Sequence, residues 1–136
     1  MSLDGARLRL QALALALSGV RAAPDSLPAN FTAYPIAITF AGAMNGQRHS
    51  AAHSTRLVTL VTEVHIARKD LGRDIKIIQP LMQAFVTAVL ADVTLSGNVP
   101  SLIGPFPVRA RMTPMEYGAV QTFGFRCEVD IHILES

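Results

Sequence analysis

The chain of 136 residues has the length of one ordinary domain, and half of it is hydrophobic against only 16% charged, which excludes a disordered segment. A domain of this size buries roughly two-thirds of its unfolded surface in one core, and the apolar excess points to buried subunit contacts besides. Ten Arg and two Lys against ten acidic residues leave a formal charge of +2, far from the dense basic patch of a nucleic-acid binder, so any DNA affinity is weak.

The first element, "RLRLQALALALSGVRAAPDS" from Arg7, has three readings. Its basic start, apolar run and Ala22-Ala23 imitate a secretion signal, but Asp4 sits in the supposedly positive region. A strand would carry Ile, Thr or aromatics before Val20, and there are none. A helix accounts for more. Leu3, Leu10, Leu13, Leu17 and Val20 recur at helical steps, with Arg7, Gln11 and Ser18 off the stripe and Gly19 and Pro24 as the stop. The expectation is a retained helix over Leu3 to Val20 in a cytoplasmic protein, and the run is too short to cross a bilayer.

"PDSLPANFTAYP" then makes an irregular approach, because its prolines suit neither a helix interior nor a central strand. In "IAITFAG", Ile36, Ile38 and Phe40 alternate with Ala37, Thr39 and Ala41, which predicts a strand. Residues 42–55, "GAMNGQRHSAAHST", show no periodicity and predict a flexible loop. "RLVTLVTEVHIARK" predicts a second strand, apolar on both faces in its first half, covered by helices on one side and a neighbouring subunit on the other. Asp70 suits the N-cap of a helix whose stripe runs through Ile75, Ile78, Leu81 or Met82, Phe85, Val89 and Leu90, with a kink or break at Pro80. Asp70 and Asp74 read as a solvated first turn. A Gly- and Pro-rich loop leads to a short strand, "VRARM", then a turn, "TPMEYGA". In "QTFGFRCEVDIHIL" Phe123, Phe125, Cys127, Val129, Ile131 and Ile133 face the core, while Arg126, Glu128, Asp130 and His132 face water or a partner. The lone Cys127 thus reads as a core thiol. The order α-β-β-α-β-β predicts a single α+β domain, one mostly antiparallel or mixed four-stranded sheet with helices on one face.

Chemistry-bearing motifs are sparse. The chain has no P-loop, dinucleotide fingerprint, nucleophile elbow or paired-cysteine site. His49 and His53 have helical metal-ligand spacing but no third ligand nearby, and His65 and His132 lie on strands as surface or interface residues. Neither an enzyme, a metal nor another cofactor is expected.

Several stretches in order resemble the tail terminator (tail completion) proteins of long-tailed bacteriophages. They are the leucine-rich opening helix, "LPANFTAYPIAITFAG" before a glycine-bearing loop, "TEVHIARKDLGRDIK", "DVTLSGNV" and "YGAVQTFGFRCEVDIHI". The resemblance spans nearly the whole chain and implies a virion protein, assembled in the host cytoplasm. It further implies a ring, usually a hexamer, that caps the tail tube, ends its growth, meets the head connector and lets double-stranded DNA pass without gripping it.

A ring of identical subunits needs two different adhesive surfaces on each copy. One candidate is the outer face of the second strand, Leu57, Thr59, Val61, Glu63 and His65, and the other an exposed face of the first helix. Arg48, His49, His53 and Arg56 would place a basic loop toward the lumen or the tube. A head-to-tail joining (neck) protein of the same virion, or a small-ligand module with a pocket lined by the excess apolar residues, are the alternatives.

Overall fold

The computed structural model describes residues 3–31, 33–48, 54–100, 102 and 104–135. Two helices, α1 (Leu3–Leu15) and α2 (Leu71–Leu90), pack on one face of a sheet of four strands, β1 (Ile36–Arg48), β2 (Ser54–Ala67), β3 (Val108–Tyr117) and β4 (Val120–Glu135). The element order is α-β-β-α-β-β and every neighbouring strand pair is antiparallel, so the fold is α+β. In space the strands run β1-β2-β4-β3, which makes β1 and β3 the edges.

Alternation sets the two faces. Val58, Leu60, Val64 and Ile66 of β2 point toward the helices with Phe123, Phe125, Cys127, Val129, Ile131 and Ile133 of β4, as the sequence predicts. They meet Ala6, Leu10 and Ala14 of α1 and Ile78, Leu81, Phe85 and Val89 of α2, with the Phe85 and Phe125 rings 5.8 Å apart. Burial, and secondarily the neighbouring Glu128 carboxylate, push the Cys127 thiol up to about 12, the behaviour of an inert core cysteine.

Several boundaries differ from the sequence reading. Helix α1 ends at Leu15, short of Val20, and its buried stripe is rotated onto Ala6, Leu10, Gln11 and Ala14. Small alanines let the helix approach the sheet closely, a preference that leucine counting misses. Helix α2 runs unbroken through Pro80. Asp70 caps it by accepting from the Arg73 N–H at 3.0 Å. Asp74, however, is buried rather than solvated, because it accepts from the Lys69 N–H at 3.1 Å and from Arg73 at 2.8 Å. Leu90, the last residue of the helix, is exposed, although its neighbour Val89 is buried in the core.

The stretch expected as a loop over 42–55 is largely sheet. Gly42 to Arg48 continue β1, and Ser54 and Thr55 begin β2 in register with Arg48 and Gln47. The long β2 supplies a ready ladder, and pairing with it overrides the weak strand preference of Gly, Ala and Asn. A bulge between Ala41 and Ala43 leaves Gly42 as the extra residue. On the other edge, β3 also outruns its predicted end. It continues through Pro114, tolerated there because an edge strand need not donate on its outer side. Only Gly118 and Ala119 turn the chain into β4, and the positive φ of 62° at Gly118 suits the first position of a two-residue hairpin.

Between α1 and β1 the chain crosses to the helix-free face as a strap. Ala22 first bridges Ile36 in parallel on the outer edge of β1, and the Arg21 N–H donates to the Pro35 carbonyl at 2.9 Å. The strap then reaches the opposite edge strand, where the Tyr117 hydroxyl donates to the Pro28 carbonyl and Phe31 stacks on the Tyr117 ring.

Candidate functional site

The helix-free face carries β2 residues Leu57, Thr59, Val61, Glu63 and His65, the set expected at an interface. The structure separates them. Leu57, at 39% exposed, lies open at one end of the strand, whereas Val61 is 1% exposed, flanked in register by Phe40 and Glu128. His65 is fully buried, so it is not a contact for another molecule in this fold. The reason is the strap, which brings the Phe31 ring to 5.0 Å from the imidazole and Tyr117 to 6.3 Å.

Around His65 the polar groups form a chain. Nδ1 lies 2.6 Å from Thr122 Oγ1, and Nε2 lies 3.0 Å from Glu63 Oε1, whose other oxygen accepts from Arg126 at 2.7 Å. A carboxylate can only accept, so Nε2 carries a proton, and in the neutral ring Nδ1 accepts from the Thr122 hydroxyl. Burial raises the Glu63 carboxyl, but the hydrogen bonds and charges of His65 and Arg126 together outweigh it and hold Glu63 below the ordinary glutamate range. Hydroxyl, imidazole and carboxylate in sequence resemble the wiring that activates a nucleophile. Here Thr122 and His65 are both fully buried. The depression of about 300 Å³ on the same face is lined instead by Arg109, Ala110, Arg111, Arg126 and Glu128. The relay therefore fastens β2 to β4 beneath the strap.

The ion pairs continue across the sheet. Arg109 of β3 donates to Asp130 at 2.7 Å and lies 3.3 Å from Glu128, and Thr59 donates to Asp130 at 2.8 Å. Asp130 is lowered chiefly by the Arg109 hydrogen bond, with burial opposing and Thr59 assisting, and the same pairing raises Arg109. Three Arg (109, 111, 126) face three acids (63, 128, 130), so the face is balanced in charge, and Thr59 and Glu63 spend their polar groups within the chain.

Arg48 and Arg56 belong to strands, not a loop. Arg48 pairs with Ser54 and Arg56 with Gly46, in the alternation that points toward the helix side. His49 and His53 lie outside the described residues. Among the described residues no group of three or more His, Cys, Asp or Glu is placed to hold a metal ion, and no helix is long and apolar enough to cross a membrane.

Two features escape the sequence reading. Gln11 is buried, donating to the carbonyls of Pro24 at 2.8 Å and Ala37 at 2.7 Å and accepting from Thr39, so one amide joins helix, strap and β1. The second is an open strand edge. From Ala41 to Arg48 every residue of β1 is exposed, on both faces of the strand. Beyond the Ala22 bridge, no described strand covers its outer edge.

The chain matches no known family model, and no curated protein is similar to it at a significant level.

Proposed function

We propose that this protein is a self-assembling virion subunit, the tail terminator of a long-tailed phage, whose ring caps the tail tube and presents a surface to the head connector. The supporting observation is the open half of β1. Natural edge strands are blunted by charge, proline, a bulge, brevity or cover. Ala41–Arg48 is exposed on both faces, and past the bulge at Gly42 the stretch Ala43–Arg48 keeps a regular register with one charged residue and no proline. Such an edge is a template for strand addition, and a protein that keeps it has a use for it. The sheet's other edge, β3, differs in sequence and shape, so each copy offers the two unlike surfaces that a cyclic assembly requires. The balanced charge of the helix-free face suits a lining past which DNA slides rather than binds.

The test is mass by light scattering behind a sizing column over a wide concentration range, with negative-stain images, repeated after mixing with phage tail tubes. Closed rings, free or on tube ends, are the expected outcome. A monomer at every concentration that ignores tubes overturns the reading.

A further inference from the structure

Resting on that reading, we propose how neighbouring copies join: the open half of β1 adds to the outer edge of β3 in the next copy, and Met44 seats in the groove between α2 and β3. The partner is a second copy of this chain.

Topology supplies the first argument. Three antiparallel steps separate β1 from β3, so the two edges run in opposite directions. Repeating the molecule by rotation along the sheet therefore sets β3 of one copy antiparallel to β1 of the next, and the sheet continues without a reversal. Pairing 43–48 with 108–113 uses the stretch after the β1 bulge and stops short of Pro114, which has no N–H to give.

Side chains on both faces fit that pairing. Met44 sits opposite Val58, a core residue, so it points to the helix side, where it is 46% exposed. On that same side the β3 edge is flanked by a groove of about 400 Å³ lined by Met82, Gln83, Val86, Thr87, Val108 and Ala110. Gly46 would stand opposite Ala110, leaving the groove open to the flexible Met44 thioether from the diagonal position. On the other face, Arg111 stands across from Arg126, a like-charge neighbour, and Arg126 is engaged by Glu63 while Arg111 makes no ion pair among the described residues. The pairing puts Asn45 across from Arg111 and Gln47 across from Arg109. Their amide oxygens would accept from the guanidinium groups, and no new charge would be opposed.

Two variants test the pairing. Met44→Glu spoils the knob and Val86→Glu spoils the groove, with the exposed Thr87→Glu in place of the latter if Val86→Glu folds poorly. Each variant alone is expected to fall from ring to monomer mass with unchanged far-UV circular dichroism. Mixed, the two are expected to form one-to-one dimers and stop, since one intact edge pairs and the other contact sets Glu against Glu. If both variants still form rings, this pairing is wrong while the ring reading stands. Loss of assembly in Met44→Glu alone points to β1 meeting β1 and overturns the proposal, as does a mixture that stays monomeric. A wild-type chain that never assembles removes the ring reading itself, and the pairing with it.

Discussion

The Phe31 ring lies on the Tyr117 ring at 3.9 Å between centroids and 18° between planes, so a residue that precedes the first strand is clamped to the last residue of β3. The contact spans the sheet and closes the strap over His65. Phe31→Ala is expected to lower stability by about 2 kcal/mol, less than a core phenylalanine because the ring is half-buried. Denaturant unfolding measures the loss, and limited proteolysis should then cut between residues 24 and 35 faster than in the wild type. Unchanged cutting would mean that other contacts hold the strap.

Beneath that strap, His65 and Thr122 satisfy each other in a site without water-facing atoms. Thr122→Val keeps the shape but leaves the imidazole nitrogen without its partner, which costs about 1–3 kcal/mol. A double-mutant cycle with His65→Leu should give a coupling well above zero, because removing both partners spares the unsatisfied group. Additive losses would mean that the hydrogen bond contributes nothing of its own.

Glu63 and Asp130 are both depressed in the folded state, by the His65 and Arg126 partners and by Arg109 respectively. Below the ordinary carboxylate pKa of about 4, the unfolded chain takes up protons that the folded one refuses. Their stabilisation is therefore complete above about pH 5 and is lost as pH falls through the depressed folded values. Urea midpoints between pH 5 and pH 2 should drop steeply in the wild type and less steeply in Asp130→Asn. Equal slopes would remove Asp130 from the account.

Gly124 of β4 pairs with His65 of β2 and has no room for a side chain. A Cβ there would stand 1.7 Å from the Val64 carbonyl oxygen and 2.9 Å from Met115 Cε. The methionine can swing away, but the strand backbone cannot without breaking the ladder. Gly124→Ala is expected to cost at least about 3 kcal/mol, on the scale of severe overpacking, or to prevent folding. A variant that melts within a few degrees of the wild type would show that the strands separate cheaply.

Where a signal is local, the residues declare it. The alternation of Phe123 through Ile133 fixes β4 and its buried face, and Asp70 announces the start of α2. The features that eluded reading come from partners distant in sequence. Gly42 to Arg48 are strand because β2 pairs with them, not because their own preferences favour it. His65 is outward by alternation yet buried, since Phe31 arrives from over thirty residues earlier to cover it. Gln11 looks like a solvent-facing residue until the strap and β1 offer it two carbonyls. Of the expected interface set, Leu57 alone stays substantially open, and the exposed Met44, on the opposite face of the neighbouring strand, carried no periodic signal.

The bridge from Ala22 to Ile36 occupies only the first step of the outer edge of β1. It works as an end-stop: a strand advancing along that edge from the Arg48 end can go no further than Ile36, where it meets the chain's own backbone. Registers that would carry an added strand past Ile36 are thereby blocked. A short piece of backbone that contributes little to the core thus limits the registers in which anything can be added to the molecule.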